Sequence, residues 1–166
     1  MPDAHSAVSA HDLIARLHLA PHPEGGYFRR IHASALQVQC GDRLRAASTT
    51  IEFLLAQGQC SQWHRVDADE AWLWRAGGPL RLQVFDPETE RLQEIVLGDA
   101  LTAQRVDEVE TMAFHAVPAG WWQRAWTASP WSLVNCVVTP GFEWGGFALI
   151  DAAPDVAAKL KARHAL

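Results

Sequence analysis

The 166-residue chain has little cysteine, a single tyrosine and only two methionines. Cys40, Cys60 and Cys136 are odd in number and widely spaced, with no CxxC pair, which argues against a disulfide framework and for reduced thiols in a cytoplasmic protein. Basic residues are also few, 14 Lys and Arg against 19 Asp and Glu for a formal charge of −5. No basic stripe occurs, so the footprint that displaces counterions from nucleic-acid phosphates is missing. No segment approaches the roughly 20 apolar residues of a membrane helix, and Met1 to His11 lacks the apolar run of a signal peptide. A soluble protein with neither nucleic-acid nor membrane partner is expected. No repeat, low-complexity tract or linker divides the chain, and its length suits one domain that buries its own core. Residues 1–166 therefore read as a single domain.

Against these shortages stand eight tryptophans. Each buries a large apolar area and seeks one hydrogen bond, so core or subunit-interface packing is their first reading and ligand stacking the second. Leu13, Ile14, Leu17 and Leu19 recur near helical spacing behind Ser9 and before Pro21, which predicts a short amphipathic helix over Ala10 to Leu19. The loop PHPEGGYF, Pro21 to Phe28, leads into an extended segment at Phe28 to Ala33. From Arg45 the chain turns to short β-rich runs between turn residues: Ser48 to Leu55, Gln62 to Val66, Ala71 to Arg75, Leu80 to Phe85, Leu92 to Leu97, Thr111 to Val117, Trp122 to Thr127, Leu133 to Thr139 and Phe147 to Ile150. Such spacing predicts an all-β sandwich or barrel. Asp86 to Thr89 reads as a hairpin turn, Gly98 to Gln104 as a helical turn or loop, and Asp155 to Ala165 as a closing helix.

The stretch from Gly58 to Gly78 carries the chemistry. Gly58, five residues, His64, one residue, Val66, three residues, Glu70, six residues and Gly77 reproduce the spacing of the first cupin motif, with Val66 where its second histidine stands. In a hairpin with this spacing His64 lies late on one strand and Glu70 starts the returning one, so both side chains reach the same barrel mouth. Pro118, Ala119 and Gly120 match the turn of the second motif, but Gln123 occupies its histidine position, Thr127 its asparagine position and Met112 its opening glycine. One imidazole, one carboxylate and one amide remain.

The chain thus resembles the cupin superfamily. PHPEGGYF, STTIEFLL, SQWHRVDADEAW, AGGPL, VPAGWWQRA and TPGF together are similar to the cupin_5 group of single-domain cupins. The resemblance implies a double-stranded β-helix, the jelly-roll barrel comparable to RmlC-type sugar epimerases, with short helices at both termini and a homodimeric assembly. It implies no established activity. Leu73 stands where the group often has histidine, and Glu52 where an aromatic residue is common, which puts a charge on a strand that must face solvent or find a partner.

The candidate residues follow. His64 is the candidate base, Glu70 its orienting partner or a second proton carrier, and Tyr27 a possible acid. Asp69 and Glu70 are neighbours on extended backbone and face opposite ways, with Glu70 inward. By the same alternation Trp72 and Trp74 share its face and can line the lumen. Glu24 in the glycine-rich loop, Arg65, His115 and Gln123 complete the expected ligand contacts; Arg65 can instead pair with Asp67 or Asp69, and His22 reads as structural. The leading expectation is a pocket for a small polar metabolite, carbohydrate-like or carbonyl-bearing, with metal-independent acid–base chemistry of the isomerase or epimerase kind and no required cofactor. Two others stay open. One is a divalent metal on His64, Glu70 and Gln123 giving oxygenase or lyase chemistry, although an amide is a poor ligand for zinc or ferrous iron. The other is a non-catalytic sensing or storage module.

Overall fold

A computed structural model describes residues 8–102 and 105–166. The first helix, α1 (Ala10–Arg16), starts on a capping box in which the Ser9 hydroxyl accepts from the Asp12 N–H and the Asp12 carboxylate accepts from Ser9. It stops short of the predicted Leu19 because His18 turns into the left-handed region at φ 53°. The chain then enters β1 (Ala20–Pro21), β2 (Tyr27–Ala33), a β3 and β4 hairpin (Gln37–Cys40 and Arg43–Ala46), β5 (Thr49–Ala56), β6 (His64–Val66), β7 (Asp69–Gly77), β8 (Leu80–Asp86) and β9 (Arg91–Leu97). There follow β10 (Arg105–Val106), β11 (Val109–Glu110), β12 (Phe114–Val117), β13 (Trp122–Trp126), β14 (Trp131–Thr139), β15 (Phe147–Leu149) and α2 (Pro154–Ala162). The β3–β4 and β10–β11 pairs were not predicted; their polar, weakly alternating sequences carry little strand signal. Of the expected 98–104 turn, Ala100–Thr102 forms one 3₁₀ turn and residues 103–104 lie outside the described residues.

A six-stranded sheet in the order β1-β2-β5-β14-β7-β12 faces a five-stranded sheet in the order β15-β6-β13-β8-β9. This is the jelly-roll barrel, and the largest apolar cluster, with Phe53, Leu55, Trp72, Leu82, Val84, Val117 and Val134, draws on both sheets and fills the space between them. Alternation decides the rest. Leu54 and Leu133, a cross-strand pair pointing the other way, pack under α1 with Leu13 and Leu19, and Trp63, Phe85 and Trp122 pack under α2 with Val156 and Leu160. Each such buried Leu contributes about 1.5–3 kcal/mol, which explains strands apolar on both faces.

Tryptophan follows this plan. Trp63 donates to the Ala165 carbonyl at 2.7 Å and Trp131 to that of Val8 at 2.7 Å, tying both termini to the barrel. Glu52 finds partners, as its strand position required: buried between two arginines, it accepts from Arg29 and from Arg75, each at 2.9 Å. Arg45 reaches from the β3–β4 hairpin to Asp67 and to the Gly141 carbonyl. The hairpin is thereby pinned beside the barrel mouth.

Candidate functional site

The Trp72 end of the lumen is packed solid, while the other end holds a cavity of about 240 Å³. That is room for about eight waters at the ~30 Å³ each occupies in the liquid. Its walls follow strand alternation: Phe28 and Arg30 from β2, Thr49, Ile51 and Phe53 from β5, Cys136 and Val138 from β14. His64 of β6, Glu70 of β7, and His22 and Glu24 of the PHPEGG loop supply the polar wall, and Val66 of β6 with Phe142, Trp144 and Phe147 closes the side near the mouth.

The loop docks through its backbone. The Gln62 N–H donates to the Glu24 carbonyl at 2.6 Å, and Gly25 adopts φ 107° with the backbone so close that a Cβ there would stand 2.8 Å from the Cys60 carbonyl oxygen. Only glycine combines that torsion with that approach. Glu24 is thus set against His64, whose Nε2 lies 3.2 Å from Glu24 Oε2.

The other ring nitrogen decides the protonation. His64 Nδ1 is 2.8 Å from the Gln62 carbonyl, which can only accept, so Nδ1 carries hydrogen and Nε2 of the neutral ring is bare. Two groups then compete for one proton between Nε2 and Oε2. Burial favours the uncharged form of both: it pushes Glu24 well above the usual carboxylate range, an effect Glu70 reinforces, and pushes His64 down to about 4. The proton sits on Glu24, which donates to the imidazole. His22 is likewise neutral; its Nδ1 accepts the Glu24 N–H at 3.2 Å and burial lowers it to about 4.

Glu70 is the second proton-bearing unit. It points inward while its neighbour Asp69 is exposed and accepts from the Ala119 N–H at 2.9 Å, clasping the PAG turn. Burial pushes Glu70 up to about 7, opposed by hydrogen bonds from the Gln123 amide and the Cys136 thiol. Gln123 cannot turn, because its Oε1 accepts from Trp72 Nε1 at 2.8 Å and its Nε2 donates to Glu70. The same environment pushes the Cys136 thiol well up, so it stays protonated and is a donor rather than a nucleophile.

Of the residues expected from the sequence, His64, Glu70 and Glu24 line the cavity and Gln123 supports Glu70 from behind. The others lie elsewhere. Tyr27 packs against the α1 cluster, and Arg65 stacks on Trp122 at 5.8 Å, leaving Asp67 to Arg45. Trp72 sits in the packed core edge-on to Phe53 at 5.9 Å, so Phe53 rather than Trp72 faces the cavity. Trp74 packs against the same core and donates to the Gly78 carbonyl at 3.2 Å, and His115 on the edge strand β12 pairs opposite Trp72 without reaching the cavity. His64 is oriented by Glu24 and Gln62, not by Glu70. His22, Arg30 and Cys136 were not expected at the site. For Arg30 the signal was present, since it follows Phe28 by two positions on an extended strand.

The expected metal set does not assemble. Gln123 has both amide atoms in use, His22 Nδ1 is taken by a backbone N–H, and among the described residues no group of three or more His, Cys, Asp or Glu is arranged to hold a metal ion.

Residues 11–150 match the family model Cupin_5, described as Cupin superfamily (DUF985). The chain belongs to this family. It is similar to a hypothetical protein from Leishmania major, 30% identical with 93% of this chain and 98% of that one covered at a TM-score of 0.77. A protein from Shewanella oneidensis is 29% identical, covering 96% and 94% at a TM-score of 0.79. Oxalate decarboxylase from Bacillus subtilis shares the fold alone, at 14% identity and a TM-score of 0.57 over 85% of this chain and 34% of that one. No curated protein matches the sequence. Among the described residues no helix is long and apolar enough to cross a membrane.

Proposed function

We propose that this cupin binds a small polar metabolite in the cavity and performs metal-independent acid–base chemistry on it, an isomerisation or epimerisation of a carbohydrate-like or carbonyl compound. The observation that carries this reading is the presence of two separately held proton units on one cavity wall: Glu70, with its pKa near 7, and the Glu24–His64 pair sharing one proton. A carboxyl poised near neutrality both gives and takes protons efficiently at working pH. Glu70 moves a proton at the reacting carbon or its carbonyl oxygen, held in position by Gln123. The Glu24–His64 pair is the complementary site: Glu24, holding its proton against Nε2, gives that proton to the compound while Glu70 takes one, and takes it back while Glu70 returns its own. Tyr27, remote from the cavity, has no part in this scheme.

Native mass spectrometry of the purified protein identifies the bound compound, and turnover of that compound is then followed for Glu70→Gln and His64→Gln. Loss of about a hundredfold or more in rate for either variant supports the reading. Unchanged turnover in both removes it. We also propose a cytoplasmic homodimer; the exposed Ile31, Leu36 and Leu44 around the β3–β4 arm support an interface there, and light scattering decides it.

A further inference from the structure

Two neighbouring arginines on β2 have opposite fates. Arg29 points to the outer face and is spent on Glu52, its cross-strand partner, at 2.9 Å. Arg30 points the other way, lines the cavity and is exposed at its rim, and its side chain has no hydrogen bond or ion pair to a described residue. A guanidinium left without a carboxylate beside a concave site is a ready receptor for an oxyanion, which it can hold through two parallel N–H bonds.

The rest of the wall narrows the ligand further. Phe147 and Trp144 meet edge to face at 5.6 Å, and His22 contacts Phe28 at 4.6 Å, Trp144 at 5.7 Å and Phe147 at 6.0 Å, so these rings form one continuous aromatic wall. These rings line the same cavity as the carboxyl of Glu70. Trp144 is 52% exposed, unusual for the largest apolar side chain and consistent with a surface completed by a ligand. Such an aromatic wall favours a flat or apolar body packed against it.

The geometry points to a small anion as the occupant: a carboxylate or phosphate group at Arg30, a planar or apolar body against the aromatic wall within the cavity of about 240 Å³, and a hydrogen-bonding group directed at Glu70. This rests on the pocket reading above and adds the charge and shape of the compound. Arg30, exposed at the rim, selects the anionic end, and the buried Glu70 acts on the other.

Benzoate and its neutral counterpart benzamide are probes of the right size. Each is titrated into the full-length protein and into Arg30→Gln, following Trp144 fluorescence with a Trp144→Phe control to assign the signal, and in parallel by calorimetry. The expected result is benzoate binding that weakens about tenfold or more in Arg30→Gln, with benzamide binding unchanged by the substitution. Arg30 is exposed and unpaired, so the variant keeps the wild-type melting temperature. Benzoate binding of equal strength in both proteins overturns the anion assignment, as does binding of benzamide alone; in these cases the pocket reading stands. Binding of neither probe overturns the anion assignment too, and the recovered-ligand experiment above then tests the pocket reading independently.

Discussion

Nε2 of His64 and Oε2 of Glu24 stand 3.2 Å apart in a buried wall, and the Gln62 carbonyl forces the proton of the neutral imidazole onto the opposite nitrogen. One residue, Gln62, fixes both members: its N–H holds Glu24 by the backbone and its carbonyl holds the imidazole. The pair is therefore neutral, with Glu24 as donor.

That protonation state is directly observable. Nitrogen-15 shifts of His64 are expected to report the neutral Nδ1–H tautomer throughout pH 5 to 8, because burial moves its protonation down to about 4. An imidazolium signal at pH 6 would show that the charged pair prevails.

Glu70 leaves a mark on stability against pH. Its pKa rises from 4.5 in the unfolded chain to about 7 in the fold, so between those values the folded state binds the extra proton and stability falls as pH rises. Replacing Glu70 by Gln removes this dependence: relative to wild type, Glu70→Gln gains up to about 3 kcal/mol between pH 4.5 and 7, at about 1.4 kcal/mol for each pH unit that separates the two values. Denaturant melts at several pH values measure it; parallel curves for the two proteins would refute the raised pKa. The two depressed histidines act in the opposite direction in both proteins and cancel in the comparison.

Glu52 is expected to matter more than either arginine it holds. Glu52→Ala leaves Arg29 and Arg75 facing each other without the shared carboxylate and costs about 2 kcal/mol, whereas Arg29→Ala or Arg75→Ala, at half-exposed positions, costs about 1 kcal/mol or less. Urea midpoints that rank the arginine variants as the more damaging would contradict the arrangement.

Gly25→Ala is the test of loop docking. The strained torsion and the contact with the Cys60 carbonyl cost about 1–3 kcal/mol, and relief requires the loop to lift, taking Glu24 off His64. The expected signature is a shift of the His64 ring resonances together with the loss in melting temperature. A stable variant with unaltered His64 resonances would mean that the loop is held by something else.

What the sequence by itself determined is the scaffold and the two anchor positions. Short strand runs at regular spacing, with glycine and proline between them, leave a sandwich or a barrel, the resemblance of the motifs narrows these to the jelly roll, and the spacing from Gly58 to Gly77 delivers His64 and Glu70 inward because strand alternation has a period of two. Glu52 announced its need for a partner in the same way. The tertiary structure alone decided which groups meet. His64 pairs with Glu24 rather than Glu70 because a distant loop docks by backbone bonds that leave no side-chain pattern. Gln123 is consumed by Trp72 and Glu70 because β13 and β7, from opposite sheets, come together behind the cavity. Trp72 fills the lumen where Phe53 comes between it and the open space, and the Arg30 side chain stands free because no described carboxylate pairs with it on the cavity face, opposite to the face of Arg29 and Glu52. Alternation tells which side of a sheet a residue faces; how far along the barrel packing stops and the cavity begins depends on volumes contributed by both sheets at once.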